Sequence, residues 1–347
     1  MDTLDIQYLS PSKNIVKHSC NMLDAIKILN KATIKILLVI DNAKTLIGTI
    51  TDGDIRRSLM DNKNLNPKCS DIMNNKPTYV FENNSKKISK LIQDHSFSIP
   101  LVDKNKKILK LCSLKLKPIK RFNNTVLIMA GGRGERLLPL TKNTPKPMLL
   151  VNKKPIIYEI IKNIKSHGFT NILISVNYLR KQLMDYFGNG EELGINIDYL
   201  SEKKPLGTAG ALSLINSNSR EPIIVLNGDV VTNLNFMKLL DFHKKSKMQI
   251  TMCAANHSIS IPYGVIEVKG SKIIKLKEKP IKNYLVNAGI YVISRTVLKK
   301  ISKNKKIDMT ELIDQYLKLN KVAAYPIYED WADIGTLKDY EKITSNN

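Results

Sequence analysis

The sequence predicts an α/β fold with a mostly parallel sheet, preceded by a smaller α+β domain. Three observations carry this expectation. From Thr125 onward, short apolar runs alternate with amphipathic helical patterns, and strands joined through helices form parallel sheets covered on both faces. The glycine- and aspartate-bearing motifs of that half follow the apolar runs directly, at the strand ends where such sheets bind ligands. Upstream, Val39–Thr51 (VIDNAKTLIGTIT) can be laid on Leu101–Ser113 (LVDKNKKILKLCS) at an offset of about sixty residues, an internal repeat. The expected domains are residues 1–120 and 121–347.

A chain of 347 residues with 43% hydrophobic content has room for two domains, each with its own core. No basic opening segment precedes a long apolar run, and no run approaches a membrane span. No membrane association and a cytoplasmic location are therefore expected. Cys20, Cys69, Cys112 and Cys253 form no CxxC pair, which argues against zinc and against a disulfide framework. The net charge of +24 attracts phosphate at long range. The lysines are spread over nearly every segment, however, without a basic arm or interleaved aromatics, so nucleic acid is not the expected partner.

Each repeat of the first domain has a helix candidate (Asn21–Lys31; Ser85–His95) and an apolar strand ending in aspartate (Ile36–Asp41; Ser98–Asp103). A turn and a second strand follow. The first repeat continues TDGDIRRSL, with Gly48, Thr51 and Asp54 spaced as Gly-x-x-Thr-x-x-Asp; the second has Lys110, Ser113 and Leu116 instead. Thr51 and Asp54 also suit the cap of a helix over Asp54–Met60. Lys115–Asn124 is basic, contains proline and reads as a linker. Beyond it, helices are expected over Pro155–His167, Tyr178–Phe187 (closed by Gly188) and Thr208–Ile215. Strands are expected over Asn171–Val176, Ile195–Leu200 and Pro222–Leu226, the last delivering Asn227, Gly228 and Asp229 to its end.

Thr125–Leu150, TVLIMAGGRGERLLPLTKNTPKPMLL, organises the second half. Val126–Met129 suits a buried strand. Gly131, Gly132 and Gly134 let backbone N–H groups approach phosphate oxygens, while Arg133, Arg136 and Lys146 supply positive charge. The string AGGRGERLLPLTKNTPKPML resembles the signature of the sugar-1-phosphate nucleotidyltransferases, and the repeat upstream resembles a tandem pair of CBS domains. The two together resemble CBS-fused guanylyltransferases of bacterial nonulosonic (legionaminic) acid pathways.

The resemblance implies a Rossmann-like nucleotidyltransferase domain in which the glycine loop holds a nucleoside triphosphate. Arg136 then contacts the departing pyrophosphate and Lys146 the α-phosphate. Asp229 (IVLNGD) and Asp333 (WADIGT) hold Mg²⁺, a hard cation suited to two carboxylates plus phosphate oxygens. Gly207, in LGTAG, brings backbone to the base, and Glu202 reads the base edge. A carboxylate only accepts, which fits the adjacent N1–H and 2-amino donors of guanine, whereas an amide suits uracil or thymine better. GTP is thus the implied nucleotide, with a UDP- or dTDP-sugar activity as the alternative. Gly264, Glu278, Lys279 and Asn287 serve the sugar phosphate; glucosamine 1-phosphate is preferred and mannose 1-phosphate is the alternative. Thr51 and Asp54 mark a possible regulatory nucleotide site, a phosphate hydroxyl and a ribose carboxylate. Trp331 is expected as core. A homo-oligomer is implied, and no C-terminal hexapeptide β-helix or acetyltransferase function is expected. A catalytically silent sensor is the rival, disfavoured because Arg136, Lys146, Asp229 and Asp333 are all present.

Overall fold

The structure, a computed structural model, describes residues 6–60, 66–88, 91, 98–114, 121–202, 204, 206–215, 219–303 and 305–345. The chain divides into two compact units, Met1–Pro118 and Ile119–Asn347.

In the first unit, β2 (Ile15–Lys17) pairs in parallel with β3 (Ile36–Ile40), which pairs antiparallel with β4 (Leu46–Thr51). The same arrangement recurs as β5 (Val80–Phe81), β6 (Ser98–Val102) and β7 (Ile108–Leu114). Both hairpins shift register at equivalent places, between Val39 and Ile40 and between Leu101 and Val102. The sequence repeat is thus a repeat of topology, with β1 (Ile6–Leu9) added antiparallel to β7. Helix α1 (Met22–Lys31) buries Met22, Ala25, Ile26 and Leu29, the i, i+3, i+4, i+7 stripe of an amphipathic helix. Helix α2 (Asp52–Met60) begins before the expected start at Asp54. The expected helix over Ser85–His95 falls partly outside the described residues, and a 3-10 segment, Glu82–Lys87, covers its start. Of the expected linker, residues 115–120 lie outside the described residues, and Phe122 already opens a strand.

The second unit is organised by a seven-stranded sheet. Its central strand β8 (Phe122–Met129) lies in parallel between β11 (Phe169–Val176) and β13 (Ile223–Asn227), and β12 (Asn196–Ser201) flanks β11 in parallel. The long strand β18 (Ile281–Ile293) runs antiparallel to both β13 and β15 (Ile250–Ser260), and β19 (Val322–Ile327) pairs in parallel with β15. Along β8 the side chains alternate between two cores. Val126 and Ile128 pack with helix Ile156–Ser166, while Leu127 packs with helix Met309–Leu317. Burial of both faces is why β8 reads as an unbroken apolar run. The one reversed strand of this sheet, β18, enters it where its parallel neighbours leave it. Ile290 pairs with Leu226, so Asn287 and Gly289 reach the same edge as Asn227 and Asp229.

The expected helix over Thr208–Ile215 is instead a short helix, Gly207–Gly210, followed by a 3-10 segment, Ala211–Leu214. The Ala209 and Gly210 amides, first-turn donors with no acceptor inside the helix, both donate to the Ile307 carbonyl at 3.0 Å.

Candidate active site

The phosphate loop springs from the end of β8. Gly134 takes a left-handed conformation (φ +65°) at the start of a 3-10 turn, Glu135–Leu137, that presents Arg136. A Cβ on Gly134 would stand 3.0 Å from Thr141 Cγ2 and 3.1 Å from Lys146 Cβ, so a side chain there would be both strained and crowded. Thr141 Oγ1 donates to the Gly134 carbonyl at 2.9 Å and closes the loop on itself. From outside, Tyr178 Oη donates to the Lys142 carbonyl (2.7 Å) and Gln182 Nε2 to that of Asn143 (2.8 Å). Gly132, Gly134, Arg136, Lys146 and Asp229 line one cavity of about 460 Å³.

Asp229 enters this cavity because Gly228 allows the end of β13 to close on β8: the Gly228 amide donates to the Met129 carbonyl at 2.9 Å. A short antiparallel ladder, β14 (Val230–Thr232) with β20 (Trp331–Asp333), then sets Val230 opposite Asp333. Trp331 is part of the core packing, and its indole N–H donates to the Ala288 carbonyl at 2.9 Å, fastening β20 to β18. Lys146 Nζ forms an ion pair with Asp229 Oδ2, while Asp229 Oδ1 is buried without a hydrogen-bond partner. A Cβ placed on Gly335 would lie 3.8 Å from Asp333 Oδ2 and 3.9 Å from an Arg136 guanidinium nitrogen, so these groups surround one small space. Asp333 stands at the exposed rim. Partial withdrawal of its carboxyl from water, then the charge of Asp229, raise its pKa above the usual carboxylate range, against the opposing pull of Lys146 and Arg136. Among the described residues, no group of three or more His, Cys, Asp or Glu side chains forms a closed metal cage. An orphaned buried carboxylate oxygen beside a second carboxylate fits an open divalent site completed by phosphate oxygens.

Glu202 follows β12 and its carboxylate is held by two donors. Ser175 Oγ donates to Oε1 at 2.6 Å and the Leu206 amide to Oε2 at 2.9 Å. A Cβ on Gly131 would stand 3.5 Å from Oε1, which brings the phosphate loop and Glu202 together. Gly207 (φ +76°) is forced by the Ile307 carbonyl, 2.6 Å from where its Cβ would be. Thr208 and Asp308 cap reciprocally: the Thr208 amide donates to Asp308 Oδ1 at 3.2 Å and the Met309 amide to Thr208 Oγ1 at 2.8 Å.

The residues expected to serve the sugar stand apart from the cavity lining. Gly264 and Glu278 meet at the base of an exposed hairpin, β16 (Val265–Lys269) with β17 (Lys272–Lys277), where a Gly264 Cβ would come within 2.9 Å of Glu278 Oε2. Lys279 is exposed, with φ +42°. Asn287 is engaged within β18: its Oδ1 accepts from the Gly289 amide (3.0 Å) and its Nδ2 donates to Tyr291 Oη (2.8 Å).

In the first unit, Asp54 Oδ2 accepts from the Thr51 amide (2.8 Å) and Thr51 Oγ1 (2.6 Å), while Oδ1 accepts from Arg57 at 2.5 Å. Asp54, the third residue of α2, thus reaches back to Thr51 just before the helix, the return half of a capping box, and both carboxylate oxygens are engaged. Thr51, Asp54 and Arg57 also line a cavity of about 540 Å³ with Thr49, Asn74 and Ser98. In the second repeat, Ser113 is buried and accepts from Ser98 Oγ at 3.2 Å, and Leu116 lies outside the described residues.

Sequence reasoning missed Ser175, Thr141, Tyr178 and Gln182, which hold the site without facing the cavity. Ser175 carried a signal, a lone hydroxyl in the apolar strand NILISV. The other three act through main-chain carbonyls of a loop whose path the sequence does not give.

A glycine loop, two cations and two carboxylates converging at the C-terminal ends of parallel strands define an α/β protein with an anion-binding cavity of the nucleotide-handling kind. Residues 125–347 match the Nucleotidyl transferase family model, and the chain belongs to that family. Residues 8–61 match the CBS domain model. Similar proteins include a mannose-1-phosphate guanyltransferase of Yarrowia lipolytica, 34% identical over 222 residues, or 62% of this chain and 61% of the relative. A protein of Oryza sativa subsp. japonica named for mannose-1-phosphate guanylyltransferase activity is also 34% identical, over 224 residues and 62% of each chain. The chain thus matches about three-fifths of the length of these relatives. A Bacillus anthracis structure described as a glucose-1-phosphate thymidylyltransferase in complex with sucrose aligns with TM-score 0.52 and 25% identity, covering 64% of this chain and 94% of that one. HddC from Yersinia pseudotuberculosis, complexed with GMP-PN, shares the fold at TM-score 0.50 and 23% identity, covering 64% and 99%. No described helix is long and apolar enough to cross a membrane.

Proposed function

We propose that this chain transfers GMP from GTP to a hexose 1-phosphate, giving a GDP-sugar and pyrophosphate. A phosphate oxygen of the sugar attacks the α-phosphorus while the bond to the β-phosphate oxygen breaks. Both reactants are anions, so the chain has to lower their repulsion and hold them in line. The glycine loop offers backbone amides to the triphosphate, Arg136 receives the departing pyrophosphate, and Lys146 accompanies the α-phosphate. Asp229 and Asp333 would hold a divalent ion, taken to be Mg²⁺, whose chemistry is to draw charge from phosphate oxygens. Glu202 accepts from the guanine edge, beside the backbone at Gly207. Gly264, Glu278, Lys279 and Asn287 are assigned to the sugar phosphate and its hydroxyls. The unpartnered Asp229 Oδ1, beside an oxygen already paired with Lys146, carries this function.

Mannose 1-phosphate is the first acceptor to test, favoured by the names of the 34% identical relatives. Glucosamine 1-phosphate is the second, favoured by the resemblance of the two-part layout to guanylyltransferases of nonulosonic acid pathways. In the first unit, a regulatory nucleotide would meet an Asp54 carboxylate already engaged by Thr51 and Arg57. A panel of sugar 1-phosphates incubated with GTP and Mg²⁺ tests the assignment through pyrophosphate release. Release with one of them, abolished in Asp229→Ala, supports it; release unchanged in that variant, or with UTP alone, overturns it.

A further inference from the structure

Ser175 is a hydroxyl where the sequence around it is apolar. Its residue exposure is 0%, on a strand whose neighbours Ile174 and Val176 are equally buried. The strand is clamped on both sides, Ser175 pairing with Leu200 of β12 and Met129 of β8, while its carbonyl accepts from the Ala130 amide at 3.0 Å. The hydroxyl position is therefore fixed by the sheet itself. A buried hydroxyl without a partner is costly, and this one is spent on Glu202 Oε1 at 2.6 Å, the short distance of a charge-assisted bond. The other oxygen is fixed by a main-chain donor, Leu206 N–H at 2.9 Å.

We propose that Ser175 is a positioning residue for base choice, holding the Glu202 carboxylate so that one remaining acceptor site on each oxygen meets the adjacent N1–H and 2-amino donors of guanine. This rests on the guanine assignment of Glu202 made above. A carboxylate offers about four lone-pair sites. Two are occupied, one by a hydroxyl on a central strand and one by a main-chain amide, which sets the plane in which the other two point. Without the Ser175 hydroxyl, only Leu206 restrains the group, and rotation about its terminal bond lets one of the two outward contacts go. Inosine triphosphate has N1–H but lacks the 2-amino group, so the preference for GTP over ITP reads the second contact directly.

The test measures kcat/KM for GTP and ITP with the full-length wild type, Ser175→Ala and the near-isosteric Ser175→Cys, whose thiol is a weak donor. The GTP-to-ITP ratio is expected to fall about 5- to 10-fold in both variants, mainly through a higher KM for GTP, with kcat changed by less than about 2-fold. A purely structural role would lower both substrates together and leave the ratio alone. Wild type preferring GTP, with an unchanged ratio in either folded variant, overturns the role of Ser175 alone. Wild type preferring UTP or dTTP overturns the guanine assignment and, with it, this one.

Discussion

Asp229 and Asp333 are brought side by side by a ladder only three residues long: Val230 pairs with Asp333, and the Ile334 amide donates to the Asp229 carbonyl at 3.1 Å. Partial withdrawal from water first, and then the charge of Asp229, raise the pKa of Asp333. Lys146 relieves one oxygen of Asp229 and leaves the other buried and unpartnered. The proposed divalent cation would complete such a pair.

Asp229→Asn should keep the fold and lose the metal. It preserves the shape and removes the charge that both Lys146 and a cation need. kcat/KM should drop by about 10²- to 10³-fold, the scale of removing one main electrostatic contributor at a transition state. Titration calorimetry with Mg²⁺ or Mn²⁺ should show weakened binding, and the thermal midpoint should stay close to wild type. Wild-type metal affinity in the variant would show that Asp229 is not a ligand.

Gly134 and Gly132 should respond differently to alanine although they are near neighbours in one motif. At Gly134 the left-handed backbone costs a Cβ about 1–2 kcal/mol, and the new methyl presses on Thr141 and Lys146. Gly134→Ala should therefore lower both stability and kcat, the latter through displacement of Lys146. At Gly132 no atom lies within 4 Å of the added Cβ, but the residue lines the cavity. Gly132→Ala should unfold like wild type and raise the KM for the nucleotide several-fold. Thermal unfolding and steady-state kinetics on the two variants separate these outcomes.

The sequence exposed those parts of the molecule in which chemistry and local backbone coincide. The apolar run of β8 announced a buried strand, and the glycines after it announced a phosphate loop, in which Gly134 takes φ +65°. The recurrence of Val39–Thr51 in Leu101–Ser113 announced two equivalent hairpins, shifted in register at matching positions. What stayed hidden depends on pairing between distant segments. The reversed direction of β18, which carries Asn287 to the sheet edge where Asn227 ends β13, follows from registry with β13. The anchoring of the Gly207–Gly210 turn, whose Ala209 and Gly210 amides both donate to the Ile307 carbonyl about a hundred residues away, is equally non-local. The engagement of Glu202 by Ser175 belongs to the same class, a contact between two strand ends that no local pattern announces.

Acid should destabilise the second unit through His243, away from the cavity. This imidazole is buried between two hydroxyls, Thr251 Oγ1 at 2.8 Å from Nδ1 and Ser294 Oγ at 3.0 Å from Nε2. Burial first, then the nearby Lys244 charge, lowers its pKa from 6.5 to about 4. The native state thus favours the neutral ring, and its contribution is complete above the unfolded value of 6.5. As pH falls from 6.5 toward 4 the unfolded chain takes up a proton that the native state resists, removing roughly 3 kcal/mol. Urea midpoints between pH 7.5 and 4.5 should fall on acidification. His243→Gln, which does not titrate, should flatten that slope while lowering stability at neutral pH.

Base choice should be movable by one atom at Glu202. In Glu202→Gln the amide oxygen can keep the Leu206 N–H, and the amide nitrogen can donate to Ser175 Oγ, since a hydroxyl accepts as readily as it donates. The side chain would then present one acceptor and one donor where the carboxylate presents two acceptors. That outward pattern matches the N3–H and O4 of uracil, and it no longer rewards the 2-amino group of guanine. kcat/KM for GTP should fall by about 10- to 100-fold, while UTP and dTTP lose little or gain, because a site built on paired donors and acceptors discriminates strongly. Pyrophosphate release measured with GTP, ITP, UTP and dTTP on wild type and variant decides it. If the GTP-to-UTP ratio is the same in both, Glu202 does not read the base, and the two donors that hold it serve the strand end alone.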